Sequence, residues 1–233
     1  MKIFFRLLLA HLLTDFVLQT NFIAEWKKRS FYGVVVHSLT FFVLGLVLTW
    51  EEVWEIWFDY PIKLYGIWCL IILFLFHIIE DEYRAYNIRH YHIQDNILFF
   101  LWDQVIHIVF LFVFSPYSAS WDLEPIIIIL CLLIIGTYGL SIIILYTDSL
   151  FYKSSVVDNL FQKKMYSIIL RFVILSFFLL PYRLYLLSIV LIPIMWILNK
   201  KINFLSPISW WINTIVVYGI GIIIFLIKKT MIM

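Results

Sequence analysis

From Pro125 to Thr147 the chain reads PIIIILCLLIIGTYGLSIIILYT, with no charged side chain anywhere in the run. A helix that crosses a bilayer needs about 20 mostly apolar residues, and this run is long enough to be one. Comparable candidates lie at 3–24, 31–49, 62–80, 94–114, 166–180, 182–198 and 208–227. The reading is an all-α, multi-pass transmembrane helical bundle of about eight spans. The runs are long and do not alternate, so membrane-barrel strands fit poorly. The sixth and seventh candidates are short and carry Pro181 and Pro193, which predicts a tilt, a kink or a re-entrant turn.

Composition agrees. Hydrophobic residues make up 64% of the 233 and charged residues 14%; mean hydropathy is +0.99. A soluble domain is about 45–50% apolar and about 25% charged. A soluble fold this apolar would lack polar residues to cover its surface, whereas a bilayer tolerates an apolar one. The net charge of +2 and the lack of a long basic run argue against a nucleic-acid partner. Cys69 and Cys131 sit in separate apolar runs and offer neither a disulfide framework nor a cysteine metal motif. Lys2 and Arg6 precede an apolar stretch as in a signal peptide. His11 and Asp15 interrupt that stretch, no small-x-small cleavage site follows, and a retained helix is expected.

Loop charges suggest an orientation. The side reached after the first helix carries Lys27, Lys28, Arg29, Arg84, Arg89, Lys153, Lys163, Lys164, Lys200 and Lys201. The other side carries the acidic 50–61 connection and the 115–124 loop with Asp122 and Glu124. The positive-inside rule makes the first side cytoplasmic in a cell membrane, although Lys2, Lys228 and Lys229 argue the other way. Trp50, Trp54, Trp57 and Tyr60 crowd the 50–61 connection and are expected to anchor it at the membrane surface.

Ionisable residues inside spans are costly and usually face a bundle interior or a wet cavity. They are concentrated in the first four candidates: His11, Asp15 and Gln19; His37; His77, Glu80 and Asp81; Asp103, Gln104 and His107. This divides the chain into 1–114, a half carrying the polar site, and 115–233, a mainly apolar scaffold whose exception is Arg171. His11–Asp15, His77–Asp81 and Asp103–His107 are i,i+4 pairs, one turn apart on one helix face. His and Asp so placed can ligate a metal together, or the carboxylate can orient a ligating imidazole. The order His–Asp reverses to Asp–His on the helix that runs back, as convergence on one site requires. At 1.5 Å rise per residue, Asp15 and Asp103 lie about 14 Å, His37 about 9 Å and His77 about 5 Å from the presumptive cytoplasmic end. A weak duplication is also visible, since His-x3-Asp is followed by a later His in each pair of helices.

Bland readings stand beside these. A lone His in an apolar helix usually bonds a neighbouring helix, and the whole set can be read as a polar network that holds the bundle together. Asp95 reads as a helix-start signal. His90 and His92 read as solvated members of a polar loop from Glu80 to Ile93, and Glu80 as a loop charge or a stand-in for Asp81. Lys27 reads as a loop charge within reach of the site mouth. Arg171 needs either a carboxylate from the first half or a snorkelling path.

At these residues the sequence resembles a bacterial membrane family, domain of unknown function 3307. The resemblance rests on HLLTDFVLQT (His11 to Thr20), Lys27, His37, HIIED (His77 to Asp81) and DQVIH (Asp103 to His107). SIILRF around Arg171 looks like a degraded Gly-Arg…Glu-Arg helix of longer members, with the Gly and the Glu missing. The resemblance implies a multi-pass fold with His11, Asp15, Gln19, His37, His77, Asp81, Asp103 and His107 as its signature. It implies no reaction.

The leading functional expectation is a metal-dependent membrane hydrolase acting on a lipid-linked or amphipathic substrate. Its metal ligands would be His11, Asp15, His37, His77, Asp81, Asp103 and His107, with Asp15, Asp103 and Gln104 as catalytic candidates. The cofactor would be a divalent ion, zinc first by the His/Asp donor set, with iron or manganese as alternatives. The competing classes are a proton-coupled or metal-ion transporter and a non-catalytic scaffold with a polar core. No Gly-rich phosphate loop, G-x-S-x-G elbow or H-E-x-x-H motif is present.

Overall fold

Polar punctuation sets the first three helices. In the computed structural model, which describes residues 1–59, 61–92, 95–116, 123–181 and 184–232, helix α1 covers Lys2–Leu12 and continues as a π-helical stretch, Leu13–Leu18. Thr20 then caps a new helix, α2 (Asn21–Arg29), its hydroxyl accepting from the Ile23 amide. The chain bends by 96° at this break. Ser30 ends α2 and caps α3 (Phe31–Leu48), accepting from the Tyr32 amide. The expected single span 3–24 is therefore two helices.

A short antiparallel hairpin, β1 (Ile56–Phe58) and β2 (Leu64–Tyr65), pairs Ile56 with Tyr65 and Phe58 with Leu64. It leads into α4 (Gly66–Tyr91), and α5 follows at Ile97–Val113. The expected polar loop from Glu80 to Ile93 is thus mostly helix. Asn96, rather than Asp95, caps α5 by accepting from the Phe99 amide.

The tryptophans of the 50–61 connection divide between surface and core. Trp50 and Trp54 are 58% and 59% exposed, but Trp57 is 5% exposed and donates its indole N–H to the Glu52 carbonyl at 2.9 Å. Trp57 joins Ile3, Leu7, Phe41, Leu70 and Leu111 in the core of the first unit. Tyr60 and Asp122 lie outside the described residues. At this end Arg6 grips Glu124 with two nitrogens, at 2.7 Å each, and reaches Glu52 at 2.9 Å. Lys2 pairs with Glu52 at 2.6 Å. The acidic loop and the N-terminal cations, which pull the orientation in opposite directions, are partners.

Next come α6 (Pro125–Ile134), a π-helical turn (Ile135–Gly139) and α7 (Leu140–Phe151). After these stand α8 (Ser154–Gln162), α9 (Lys164–Leu179), a 3-10 turn (Leu184–Leu187), α10 (Ser188–Ile202) and α11 (Pro207–Ile232). Among the described residues the fold is all-α apart from the hairpin. It divides into two compact units, Met1–Cys131 and Leu132–Met233.

About eight spans is corrected. Among the described residues, four helices are long and apolar enough to cross a membrane: Phe31–Leu48, Pro125–Phe151, Leu184–Ile202 and Pro207–Met231. A fifth is added if the bent pair Lys2–Leu18 and Asn21–Arg29 counts as one. The reasons are local. The first candidate bends, α4 turns charged after His77, and α5 and α9 have 17 and 16 residues. The apolar helices fit an integral membrane protein. Pro193 lies inside α10, and Cys69 and Cys131 are free and buried.

In the second unit Arg171 is 1% exposed. Its guanidinium donates to the Thr137 carbonyl at 2.7 Å, to Ser141 Oγ at 2.6 Å and to Asn213 Oδ1. These partners are neutral, so neither the expected carboxylate nor a snorkelling path describes it. Thr137 belongs to the π-helical turn. Asp148 accepts the hydroxyls of Ser206 and Ser209 at 2.6 Å each.

Candidate metal centre

Each helix of the first unit reaches the centre through an inward stripe at helical spacing. On α3 the buried residues include Val34, His37, Ser38 and Phe41; on α4, Leu70, Leu73, His77 and Asp81; on α5, Phe100, Asp103, His107 and Leu111. The period that buries the apolar side chains carries the His and Asp residues inward with them. On α1, His11 lies in the α-helical part and Asp15 in the π-helical part. Such π-helical insertions are rare and concentrate at functional sites.

His11, Asp15, His37, His77, Asp81, Asp103 and His107 are all buried, with exposures between 0% and 7%. Asp15 Oδ1 lies 3.6 Å from His11 Nδ1, 3.3 Å from His37 Nε2 and 3.6 Å from His77 Nε2. Asp81 Oδ2 lies 3.4 Å from both His37 Nε2 and His77 Nε2. The His77 and His107 ring centres are 4.4 Å apart, and those of His11 and His107 5.0 Å. The i,i+4 partner Asp103 stands 3.9 Å from His107.

The polar atoms sort into two sets. Asp15 Oδ1, Asp81 Oδ2, Asp103 Oδ1, His11 Nδ1, His37 Nε2, His77 Nε2 and His107 Nε2 are buried and make no hydrogen bond. The opposite oxygen of each carboxylate is held. Lys27 donates to Asp81 Oδ1 at 2.7 Å. Arg84 donates to Asp103 Oδ2 at 3.0 Å. Gln104 Nε2 donates to Asp15 Oδ2 at 3.1 Å and to Asp103 Oδ2 at 3.3 Å.

Two histidine tautomers follow from this network. Gln104 spends its amide hydrogens on carboxylates, so its Oε1, 3.3 Å from His11 Nε2, accepts. His11 Nε2 therefore carries the proton, and Nδ1 presents a lone pair. His107 Nδ1 donates to the Asp103 carbonyl at 2.8 Å, which leaves Nε2 as the lone pair. A histidine whose second nitrogen is anchored while the first is bare is the arrangement of a metal ligand.

Spacing supports the same chemistry. Donor atoms about 2.0–2.1 Å from one tetrahedral ion are about 3.3–3.4 Å from one another. Asp15 Oδ1 to His37 Nε2 and Asp81 Oδ2 to His37 and His77 Nε2, at 3.3–3.4 Å, match that separation. Three triads have donor atoms all within 4.8 Å of one another: His11, Asp15 and His77; His37, His77 and Asp81; Asp81, Asp103 and His107.

The remaining expected residues take other positions. Gln19 Oε1 receives Lys27 Nζ at 3.4 Å and so belongs to the support of Asp81. Gln104 braces His11, Asp15 and Asp103. Glu80 is half-buried and, with His77 and His107, lines a crevice walled by Phe41, Phe76 and Phe110, with about 10 Å³ of room for a water-sized guest. Asp81, not Glu80, takes the position among the triads. Arg171 lies in the second unit. Among the described residues, Arg84 is the contributor that loop assignment concealed, since it holds Asp103 and, at 2.7 Å, Asp95. Its spacing of three from Asp81 was the available signal, legible once α4 is continued past Glu80.

The fold and the site define a class: a bundle of apolar helices that fit an integral membrane protein, with a buried His/Asp cluster able to hold metal. The profile of a family described as protein of unknown function (DUF3307) matches residues 3–135, and the chain belongs to that family. The match covers all seven bare-atom residues and their braces Gln19, Lys27, Arg84 and Gln104. Neither a curated protein nor a solved structure matches the chain.

Proposed function

We propose that the protein is a multi-pass, metal-dependent hydrolase of the cell membrane, acting on a lipid-linked or amphipathic substrate. The observation that carries this reading is the set of seven buried donor atoms without hydrogen bonds, on side chains whose other polar atoms are largely braced. A divalent ion would satisfy those atoms, polarise a substrate oxygen and lower the pKa of a bound water. Histidine and aspartate donors favour zinc, with manganese and iron accommodated by the same set. His11, Asp15, His37, His77, Asp81, Asp103 and His107 would be the ligands, and Gln104 would fix their orientation. The basic side of the chain around Lys27 and Arg84, which supports the site, favours a site open towards the cytoplasm.

The test is elemental analysis of the full chain purified in mild detergent without added chelator, with hydrolysis of natural membrane lipids followed by mass spectrometry. Stoichiometric divalent metal is expected, falling sharply in His37→Ala and Asp103→Ala together with product release. Wild-type protein free of metal, with both variants as stable as the parent, would overturn the reading. Metal uptake into proteoliposomes without lipid hydrolysis would make the ion cargo and the protein a transporter.

A further inference from the structure

We infer that the cluster holds two divalent ions, with Asp81 bridging them, and that the substrate is a phosphoric ester. This rests on the metal reading above. The first argument is the number of donors. Seven bare atoms converge, whereas zinc takes four ligands and an octahedral ion six. One ion would leave buried donors unpaired, and water or substrate must occupy a position as well.

The second argument is arrangement. The triad of His11, Asp15 and His77 and the triad of Asp81, Asp103 and His107 have no member in common. The third, His37, His77 and Asp81, shares one residue with each. A bare imidazole nitrogen has one lone pair and serves a single ion, so His77 Nε2 cannot link two. A carboxylate oxygen has two. Asp81 Oδ1 receives Lys27 at 2.7 Å, whereas Oδ2 makes no hydrogen bond and has both lone pairs to offer. That oxygen stands 3.4 Å from His37 and His77 on one side, and Asp81 is also a member of the Asp103–His107 triad on the other. His11, Asp15, His37 and His77 then serve the first ion, and Asp103 and His107 the second.

Charge names the substrate class. Asp15, Glu80, Asp81, Asp95 and Asp103 stand against Lys27 and Arg84, a balance of three negative charges. One divalent ion does not neutralise this balance, and a second leaves the centre positive and suited to an anionic group. Paired ions about 3.5–4 Å apart clamp the attacking and leaving oxygens of a phosphoryl centre. In that hydrolysis a water oxygen bonds to phosphorus, the ester P–O bond breaks, and the water proton ends on the departing oxygen. The crevice beside His77 and His107 has room for one such water.

The test uses the full chain in detergent, loaded with manganese(II). Elemental analysis should give two ions per chain, electron paramagnetic resonance should show an exchange-coupled pair, and inorganic phosphate should perturb that spectrum. Asp81→Ala should abolish the coupling, but the wild-type spectrum decides without it. One ion per chain overturns the pair while leaving the hydrolase reading intact. Two uncoupled ions overturn the bridge. A coupled pair indifferent to millimolar phosphate overturns the substrate class. No bound metal overturns both this inference and the reading beneath it.

Discussion

Gly33→Ala should destabilise the first unit by acting through backbone alone. The chain reverses between α2 and α3 at the single residue Ser30, and Gly33 lies against the last turn of α2. A Cβ there would stand 2.5 Å from the Trp26 carbonyl carbon and 2.6 Å from both the Trp26 oxygen and the Lys27 nitrogen. None of these is a side-chain atom that can rotate away. Restoring ordinary contact requires α2 to move by nearly an ångström. Overpacking of this kind costs about 1–3 kcal/mol, and the backbone obstacle puts Gly33 in the upper half of that range. The helix preference for Ala over Gly returns about 1 kcal/mol, leaving a net loss of about 1–2 kcal/mol. At about 2–4 °C per kcal/mol for a chain of this size, the melting temperature should fall by roughly 2–8 °C. Lys27 is part of the obstructed peptide, so its 2.7 Å bond to Asp81 should stretch beyond hydrogen-bond range as well. Gly219→Ala is the control: a Cβ there meets nothing within 4 Å and should be neutral or stabilising. Thermal unfolding of both variants by tryptophan fluorescence in one detergent decides. If Gly33→Ala melts at or above Gly219→Ala, the close approach of α2 and α3 is not as described.

Two further perturbations bear on the ends of the first unit. Lys27→Met removes the cation from buried Asp81 and should weaken metal affinity about 10–100-fold. It should also cost the metal-free protein about 3–5 kcal/mol. Chelator competition and a melting curve measure the two effects, and an unchanged affinity would remove Lys27 from the support of the centre. At the other end, hydrogen bonding to the Arg6 guanidinium, helped by its charge and that of Lys2, holds the Glu124 carboxyl below its ordinary value of 4.5. A depressed carboxyl pKa contributes stability above the unfolded value that is lost as pH falls through the folded one. Wild type should therefore outlast Glu124→Gln at pH 6, and the gap should close on acidification below 4.5. A gap that stays constant down to pH 3 would contradict the pairing.

The sequence made the centre more legible than the spans. The His/Asp spacing of four works because α1, α4 and α5 bury one stripe each, and the stripe that packs Leu73 or Leu111 also carries His77 or His107. Apolar runs, by contrast, measure transfer into lipid but not continuity of the helix. The run 3–24 contains Thr20, a good cap, and its hydroxyl stops one helix and starts another at a right angle. The change at Leu13–Leu18 from α to π turns leaves no mark in composition. Trp57 is not legible in the sequence, because composition cannot tell an indole at a lipid headgroup from one bonded to the Glu52 carbonyl. Charge density makes Arg84 and most of the polar stretch after Glu80 imitate a loop, although they lie on α4. In α4 the same charges are paired across the bundle, Arg84 with Asp95 and Asp103 and Lys27 with Asp81.

That pairing is where a metal centre would differ from a polar network that merely joins helices. A structural network gains from closing every donor and acceptor, since each buried group left open costs about 1–3 kcal/mol. The Arg171 group in the second unit follows much of that rule: three of its bonds run to a carbonyl, a hydroxyl and an amide. The His/Asp centre does the reverse. Lys27, Arg84 and Gln104 satisfy one oxygen of each carboxylate, Gln104 and the Asp103 carbonyl fix two of the imidazoles, and the atoms left over face one another. A cation between them would relieve open groups at this density, so metal binding should add to the stability of the first unit. Stripping metal from the full chain should therefore lower the melting temperature of wild type and leave that of the His37→Ala, Asp103→Ala double variant unchanged. Equal losses in both proteins would mean that the open atoms have another use.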